Sequence, residues 1–198
     1  MRELSRLSGS ARFRRWILAA ALSALAPAVL SAQAGETDVG EVAASGGGTF
    51  GLGGAHPFAG GSIGIALSRN GIVLLEAAYT PTGKDRLWPR PDIKSPNDGR
   101  LFDCNTSVHI RFPVGERWAP YGILGAGLLW DSFNSLTGPQ GAGIRVYDFK
   151  GAFHTGAGVR YYVKESWGIR PEVKVIVSNR TYTRLSIGIF YIIPPSLP

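Results

Sequence analysis

Hydrophobic and polar residues alternate with a period of two in several stretches of the chain, which is the spacing of half-buried β-strands. The stretch 105–112 shows it most clearly, with Val108 and Ile110 on an apolar face. The opposite, polar face of that stretch consists of Asn105, Ser107, His109 and Arg111. Residues 167–178 and 182–193 alternate in the same way. Residues 120–133 are apolar or glycine on both faces, so the period assigns no face there.

Turn-forming clusters divide the chain from residue 39 onward into eight runs, a spacing typical of an all-β meander. Gly53-Gly54 and His56-Pro57 predict a break between the first two strands. Asn70-Gly71 predicts a tight hairpin, because this pair supplies the positive φ angles of a two-residue turn. The predicted strands cover residues 39–52, 58–68, 72–80, 101–112, 120–133, 147–164, 167–178 and 182–193.

The same alternation fits two inverse structures, a soluble barrel that is apolar inside and a membrane barrel that is apolar outside. The polar face is built largely of small residues, such as Gly60, Ser62 and Gly64, which suits the narrow interior of an eight-stranded barrel. The charges on that face have both signs, as a closed interior requires. This predicted charge network consists of Glu76, Arg111, Arg160, Arg170, Glu172, Lys174 and Arg184.

The predicted connections also favour the membrane barrel. Those at 68–71, 113–119 and 165–166 fall on one side and are short, whereas those at 81–100 and 131–146 fall on the other side and are long, as in outer-membrane barrels. Aromatic residues near strand ends are placed to form interfacial girdles. They are Tyr79, Phe112, Trp118, Tyr121, Trp130, Tyr161, Trp167 and Tyr191. The pattern therefore predicts an eight-stranded antiparallel up-and-down transmembrane β-barrel over residues 35–193.

Composition and charge sharpen this prediction. The chain has 27 glycines among 198 residues, about twice the average share. They have no three-residue period, which excludes collagen, and they fall inside the apolar runs as well as between them, which excludes a protein of long helices. The formal net charge of +7 depends on five arginines before residue 16, opposed by one acid. Without that segment the net charge is about +3, which gives no electrostatic case for nucleic-acid binding.

Residues 1–34 have the organisation of a secretory signal peptide. A basic region ends at Arg14-Arg15, an apolar stretch covers 16–30, and the small-residue site 31–34 predicts cleavage after Ala34. The alternative is an uncleaved anchor helix, but the apolar stretch is shorter than the roughly 20 residues that a membrane-spanning helix needs. Residues 194–198 are predicted to form a short C-terminal tail.

The predicted barrel resembles the small eight-stranded outer-membrane barrels of the Gram-negative envelope, the group that includes the transmembrane domain of outer-membrane protein A and the proteins X and W. The segments that show the likeness are HPFAGGSIGIALSRNG, WAPYGILGAGLLW, FHTGAGVRYYVKESWGIRPEVKV and RLSIGIFYII. The resemblance implies a monomer in the outer membrane, surrounded by lipid and lipopolysaccharide and assembled by periplasmic chaperones and the barrel-assembly machinery. Residues 192–198 follow Phe190-Tyr191, so the C-terminal assembly signal of this group is internal or weakened.

Two histidines, His109 and His154, are the candidates for catalysis, since some barrels of this size modify lipid A with a His and a Ser near the outer rim. Ser107 shares the face of His109, but Thr155 points away from the face of His154, and neither site has deacylase-like spacing. The leading hypothesis is a non-enzymatic barrel with a structural, adhesive or narrow-pore role. The alternatives are a lipid A-modifying hydrolase that uses His109 or His154, and a carrier for small hydrophobic molecules.

Metals and cofactors are not expected, because one cysteine, Cys104, and three dispersed histidines offer no Cys/His zinc site. The predicted interior charges allow two states. If they pair, the barrel is plugged, and if they line a gap, small solutes pass; eight strands favour the plugged state. The loop 81–100 mixes basic and acidic residues and either contacts the phosphates of lipopolysaccharide or a partner protein, or is simply solvated. Its basic residues are Lys84, Arg86, Arg90, Lys94 and Arg100.

Overall fold

Eight antiparallel strands form a closed barrel in the computed structural model of the protein, which describes residues 40–68, 70–85, 97–135 and 144–193. Each strand pairs with the next along the chain, and the last pairs with the first. The strands are β1 (Gly40–Phe50), β2 (Ala55–Ala66), β3 (Gly71–Gly83), β4 (Asn97–Arg111), β5 (Trp118–Ser135), β6 (Ile144–Lys164), β7 (Trp167–Val177) and β8 (Thr181–Ile193). The predicted eight-stranded up-and-down barrel is confirmed. No helix of the described residues is long and apolar enough to cross a membrane.

The strands at one end of the barrel are longer than predicted. β3 continues to Gly83 and β4 begins at Asn97, so the connection predicted over 81–100 is shorter, and β5 and β6 likewise extend into the connection predicted over 131–146. A register shift between Pro81 and Gly83 explains the first difference, because a bulge lets turn-forming residues remain in a paired strand. Residues 86–96 and 136–143 lie outside the described part of the chain. The end that includes them is called the long-loop end below.

Two predicted breaks differ from the structure. His56 and Pro57 lie inside β2, where Pro57 pairs with Gly48 of β1. Pairing of β2 with β3 begins only at Ala59, so Pro57 has a neighbouring strand on one side only, which is where a strand tolerates proline. The hairpin between β2 and β3 is present, but Gly71 is the first residue of β3 and accepts hydrogen bonds from the Leu67 and Ser68 amides. The connection is therefore longer than a two-residue Asn-Gly turn.

The strand register determines the tilt and width of the barrel. Following paired residues from Gly40 once around all eight strands returns to Phe50 in β1. Such an offset requires the strands to tilt against the barrel axis, and with eight strands it leaves an interior just wide enough for side chains. The interior is consequently a packed space.

Alternation places apolar side chains outside and polar side chains inside. In β4, Val108 and Ile110 are 41% and 52% exposed, whereas Ser107 and His109 are fully buried. Large apolar side chains are exposed on all eight strands. This polarity is the inverse of a water-soluble barrel and matches a wall that faces lipid hydrocarbon. The structure is therefore a transmembrane β-barrel.

Inward glycines lie where the interior is most crowded. A Cβ atom added at Gly60 would lie 2.6 Å from the Ala77 carbonyl oxygen, and one at Gly125 would collide with the His154 ring. In contrast, a Cβ added at Gly122 or Gly151 on the outer wall would meet nothing within 4 Å. The inward positions therefore exclude side chains for reasons of space.

Candidate functional site

The end of the barrel opposite the long loops is closed by a buried ion cluster. Glu41 of β1 accepts hydrogen bonds from Arg160 of β6 and from Arg170 of β7, the latter at 2.9 Å. The Arg170 guanidinium also donates to the Ser62 hydroxyl at 2.9 Å. The Arg160 guanidinium lies over the rings of Tyr121 and Phe190, 5.4 and 5.2 Å from their centroids. Arg160 is completely buried, so its charge is compensated within the interior.

The middle of the interior contains a second cluster around Lys174. Its ammonium group contacts both Glu76 carboxylate oxygens at 2.7 Å and lies 2.9 Å from Glu172 Oε1. Ser107 donates a hydrogen bond to Glu76, and its hydroxyl oxygen lies 2.8 Å from His154 Nε2. Residues of β3, β4, β6 and β7 thus converge on one polar network across the barrel.

The third cluster lies toward the long-loop end. Arg184 donates two parallel hydrogen bonds to Asp103, at 3.0 and 2.6 Å, and its guanidinium lies 4.5 Å from the centroid of the Phe58 ring. Asn105 donates to the same carboxylate at 2.6 Å. Still closer to the loops, buried apolar side chains form one cluster across the interior. They are Leu52, Leu101, Leu129, Ala152, Ile176 and Tyr182.

The space left between these layers is small. A cavity of about 30 Å³ lies among the second and third clusters, bordered by Glu76, Asp103, His154, Lys174 and Arg184. That volume suits about one water molecule. The described interior is therefore filled by side chains, with the apolar cluster nearest the long-loop end and the three charged clusters between it and the opposite end.

The structure brings most of the predicted charge network together and adds two acids. Glu76, Glu172 and Lys174 form the middle cluster. Arg160 and Arg170 pair with Glu41, and Arg184 pairs with Asp103; these two acids are not part of the predicted network. Arg111, also part of the predicted network, lies half-buried at the end of β4. Asp103 shares the odd-numbered face of Asn105 and Ser107, so extending the alternation of β4 by one step would have found it.

All but one of the residues predicted for the aromatic girdle have outward-facing or exposed side chains. Tyr121 is 2% exposed and points inward, where its hydroxyl donates to Glu172 at 2.8 Å and its ring stacks on His109 at 4.8 Å. The prediction was wrong because β5 is apolar on both faces and alternation could not assign Tyr121 to one of them. The other predicted girdle residues lie on outward-facing positions of their strands, except that Phe112 is exposed directly after the last residue of β4. They are Tyr79, Phe112, Trp118, Trp130, Tyr161, Trp167 and Tyr191.

The girdle at the long-loop end includes further aromatic residues. Trp130 packs against Phe149, with ring centroids 4.6 Å apart, and against Tyr147 at 6.3 Å. Phe102 is opposite Trp130 in the β4–β5 pairing and is also exposed. At the other end Trp118 and Tyr161 pack at 4.7 Å. Two belts of aromatic side chains thus frame the apolar wall, as at the two interfaces of a bilayer.

Both candidate catalytic histidines point into the interior. His109 is completely buried and His154 is 3% exposed. The Ser107 to His154 contact joins a hydroxyl and an imidazole, as a nucleophile and its base require, but it lies between buried side chains and away from the lipid-facing wall. The geometry offers no described surface on which an acyl chain could reach this pair.

Among the residues that the structure describes, one group of interior side chains could hold a cation. Single ligand atoms of Glu76, His109 and Glu172 all lie within 4.8 Å of one another. The Lys174 ammonium contacts both of these carboxylates and so already supplies the compensating positive charge. This group is therefore part of the packed charge network.

An apolar outer wall with aromatic belts and a charge-paired interior define the class of transmembrane β-barrels. Solved outer-membrane barrels share the fold. Neisserial surface protein A is 15% identical, with 77% of this chain and 95% of that chain covered and a TM-score of 0.58. The attachment invasion locus protein Ail of Yersinia pestis is 15% identical, with 80% and 100% covered and a TM-score of 0.54. A major outer membrane protein of Thermus thermophilus is 9% identical, with 78% and 99% covered and a TM-score of 0.58.

No protein-family profile matches the chain, and no curated protein matches it either. At 9–15% identity, the likeness to solved outer-membrane barrels is one of fold.

Proposed function

We propose that the protein is a monomeric barrel of the outer membrane with a closed interior and without enzymatic activity, and that its role is structural or adhesive. Export uses the leader 1–34, which is cleaved after Ala34, and the barrel-assembly machinery and periplasmic chaperones insert the remainder, with 194–198 as a short tail. The surrounding lipid and lipopolysaccharide are its immediate partners. Binding of other partners is assigned to the outer wall and the long-loop end.

The observation that supports this proposal best is the filled interior. Ion pairs link opposite walls at three levels, and the apolar cluster lies between them and the loops. The interior cavity of about 30 Å³ leaves no room for a hydrophobic ligand inside the barrel, which disfavours a carrier that encloses its ligand. A closed interior also disfavours the narrow pore, because ions would have to cross the apolar layer.

Planar-bilayer recordings test the closed interior. Refolded protein, shown to be folded by its heat-dependent migration on gels, is expected to give no stable conductance steps. The control is the same bilayer with a known porin, which establishes that insertion and detection work. Stable openings from the folded protein would show that the barrel is a pore and that its interior is not closed.

Mass spectrometry of lipid A tests the alternative that the protein is a lipid A-modifying hydrolase. Folded protein is incubated with lipopolysaccharide in detergent micelles, and lipid A is analysed by mass spectrometry. Acyl chains are expected to remain intact, because His109 and His154 are buried in the interior. Loss of an acyl chain that disappears in His109→Ala or His154→Ala would show instead that one of these residues is catalytic.

An adhesive role is supported by the architecture and by one of the structural neighbours. Ail was also solved in complex with the heparin analogue sucrose octasulfate, with 16% identity to this chain and a TM-score of 0.54. The basic residues predicted for the loop 81–100 include Arg86, Arg90 and Lys94, which lie outside the described residues. Binding of a sulfated polysaccharide to cells that display the protein is the corresponding measurement, with cells lacking it as the control.

A further inference from the structure

Two arginines stand on the outer wall just beyond the aromatic belt of the long-loop end. Arg100 of β4 pairs with Ser132 of β5, one outward position beyond the paired Phe102 and Trp130. Arg145 of β6 shares the outward face of Tyr147 and lies one outward position beyond it toward the loops. Since aromatic belts lie at the level of lipid headgroups, the two guanidinium groups lie at or just above that level.

Asp98 holds the two arginines together across β5. Its Oδ2 atom lies 3.0 Å from Arg100 Nη2 and 3.4 Å from Arg145 Nη2. Because both nitrogens contact the same oxygen, one tetrahedral anion could contact both guanidinium groups at once. All three side chains are partly exposed, at 43% for Arg100, 33% for Arg145 and 47% for Asp98. The group is therefore open to a ligand from the membrane side.

We propose that Arg100 and Arg145 bind a phosphate group of a phosphorylated glycolipid in the outer leaflet. Arginine suits this ligand because its planar guanidinium donates two parallel hydrogen bonds to phosphate oxygens. The inference rests on the proposed location in the outer membrane, which supplies such lipids on this side of the wall. Asp98 contacts both guanidinium groups and therefore competes with the phosphate for them.

The depth of the site distinguishes a lipid phosphate from a free one. Tyr147 and Phe149 are exposed directly below the arginines and would contact the sugar and acyl portion of the same lipid. A free phosphate has no apolar portion to contact these rings. The site should consequently retain the lipid under conditions in which inorganic phosphate at the same concentration is not retained.

Native mass spectrometry of the folded barrel in detergent, titrated with purified bisphosphorylated lipid A, measures the binding directly. The Arg100→Gln, Arg145→Gln double variant is expected to bind about tenfold more weakly than the native protein, since it loses two charge-assisted contacts. The matched control is Arg180→Gln in the exposed β7–β8 connection, which should bind like the native protein. Asp98→Asn should bind more tightly, because it removes the competing carboxylate and asparagine tolerates the positive φ of 53° at that position.

Further titrations decide between the possible outcomes. Dephosphorylated lipid A should bind as weakly to the native protein as bisphosphorylated lipid A binds to the double variant. Inorganic phosphate that displaces the lipid at equal concentration would show that the site is one for free phosphate and would overturn the proposal. Equal lipid binding by the native protein and the double variant would also overturn the proposed phosphate site. If the native protein still migrates in a heat-dependent way and inserts into vesicles, the proposed membrane location stands. A native protein that fails to insert into vesicles would instead refute that location.

Discussion

The interior ion pairs determine which residue substitutions the barrel tolerates. Glu41 compensates two buried arginines, Arg160 and Arg170, and each of the three comes from a different strand. Taking charges out of water is costly, and the cost is offset only while every member keeps its partner. Loss of one partner should therefore lower the free energy of unfolding by more than the loss of one hydrogen bond would.

Glu41→Ala is expected to lower the free energy of unfolding by about 3–5 kcal/mol, because it leaves two guanidinium groups buried without their shared carboxylate. The measurement is urea unfolding of the protein refolded into lipid vesicles, followed by tryptophan fluorescence. Glu116→Ala, at an exposed position of the β4–β5 connection, is the matched control and should change stability by less than about 0.5 kcal/mol. Equal stability of the two variants would contradict the buried cluster.

Sequence reasoning located the interior charges only where neighbouring residues showed a clear alternation. In β7 and β8 polar and apolar residues alternate clearly around Arg170, Lys174 and Arg184, so the sequence places these three residues in the interior. Glu41 was missed because the rest of β1 consists mostly of small residues, such as Ala44 and Gly46, which do not distinguish the two faces. The pairing partners could not be predicted at all, since they depend on the register between strands that are far apart in the chain.

At the scale of single strands, β5 shows how one element serves two environments. Its inward face includes Tyr121, Ile123 and Gly125, and its outward face includes Gly122 and Leu124. β5 is apolar on both faces because its outward side chains face lipid, while its inward residues include aromatic side chains and glycines that pack in the narrow interior. Hydrophobicity alone therefore cannot assign the faces of this strand, which is why Tyr121 was predicted to lie in the girdle.

Gly125→Ala and Gly122→Ala test that assignment within the same strand. A Cβ at Gly125 would collide with the Thr106 carbonyl oxygen and the His154 ring, so this variant should lose about 1–3 kcal/mol of stability. A Cβ at Gly122 meets open space, so its variant should be neutral or gain about 0.5–1 kcal/mol by reducing the freedom of the unfolded chain. Urea unfolding in vesicles provides the comparison, and the reverse order of stabilities would show that the faces of β5 are interchanged.

Strand boundaries were less predictable than strand number. Residues such as Pro57, Pro81 and Gly83 are turn formers in the sequence, yet they lie in paired strands. Pro57 is tolerated because β2 is paired there with β1 only, and a register shift between β3 and β4 accommodates Pro81 and Gly83. These local adjustments follow from strand pairing, which no single stretch of sequence contains.

At the scale of the whole molecule, the barrel combines an apolar wall, two aromatic belts and a charged interior. The alternation and the connection lengths were enough to predict the eight strands, their antiparallel order and the outward direction of the apolar face. The three levels of ion pairing and the apolar layer near the loops became visible only in the closed barrel. Together they fill the described interior of the barrel.

Cys104 allows a direct test of whether the apolar face of the barrel meets lipid. It is the single cysteine of the chain, is exposed, and pairs with Ala77 and Leu128 well inside the length of β4. A small fluorophore attached to Cys104 in vesicles should be quenched by spin-labelled lipids and protected from aqueous iodide. Glu116→Cys in a Cys104→Ser background should show the opposite behaviour, since it lies in an exposed connection. Quenching of the Cys104 label by iodide but not by spin-labelled lipids would contradict the transmembrane barrel.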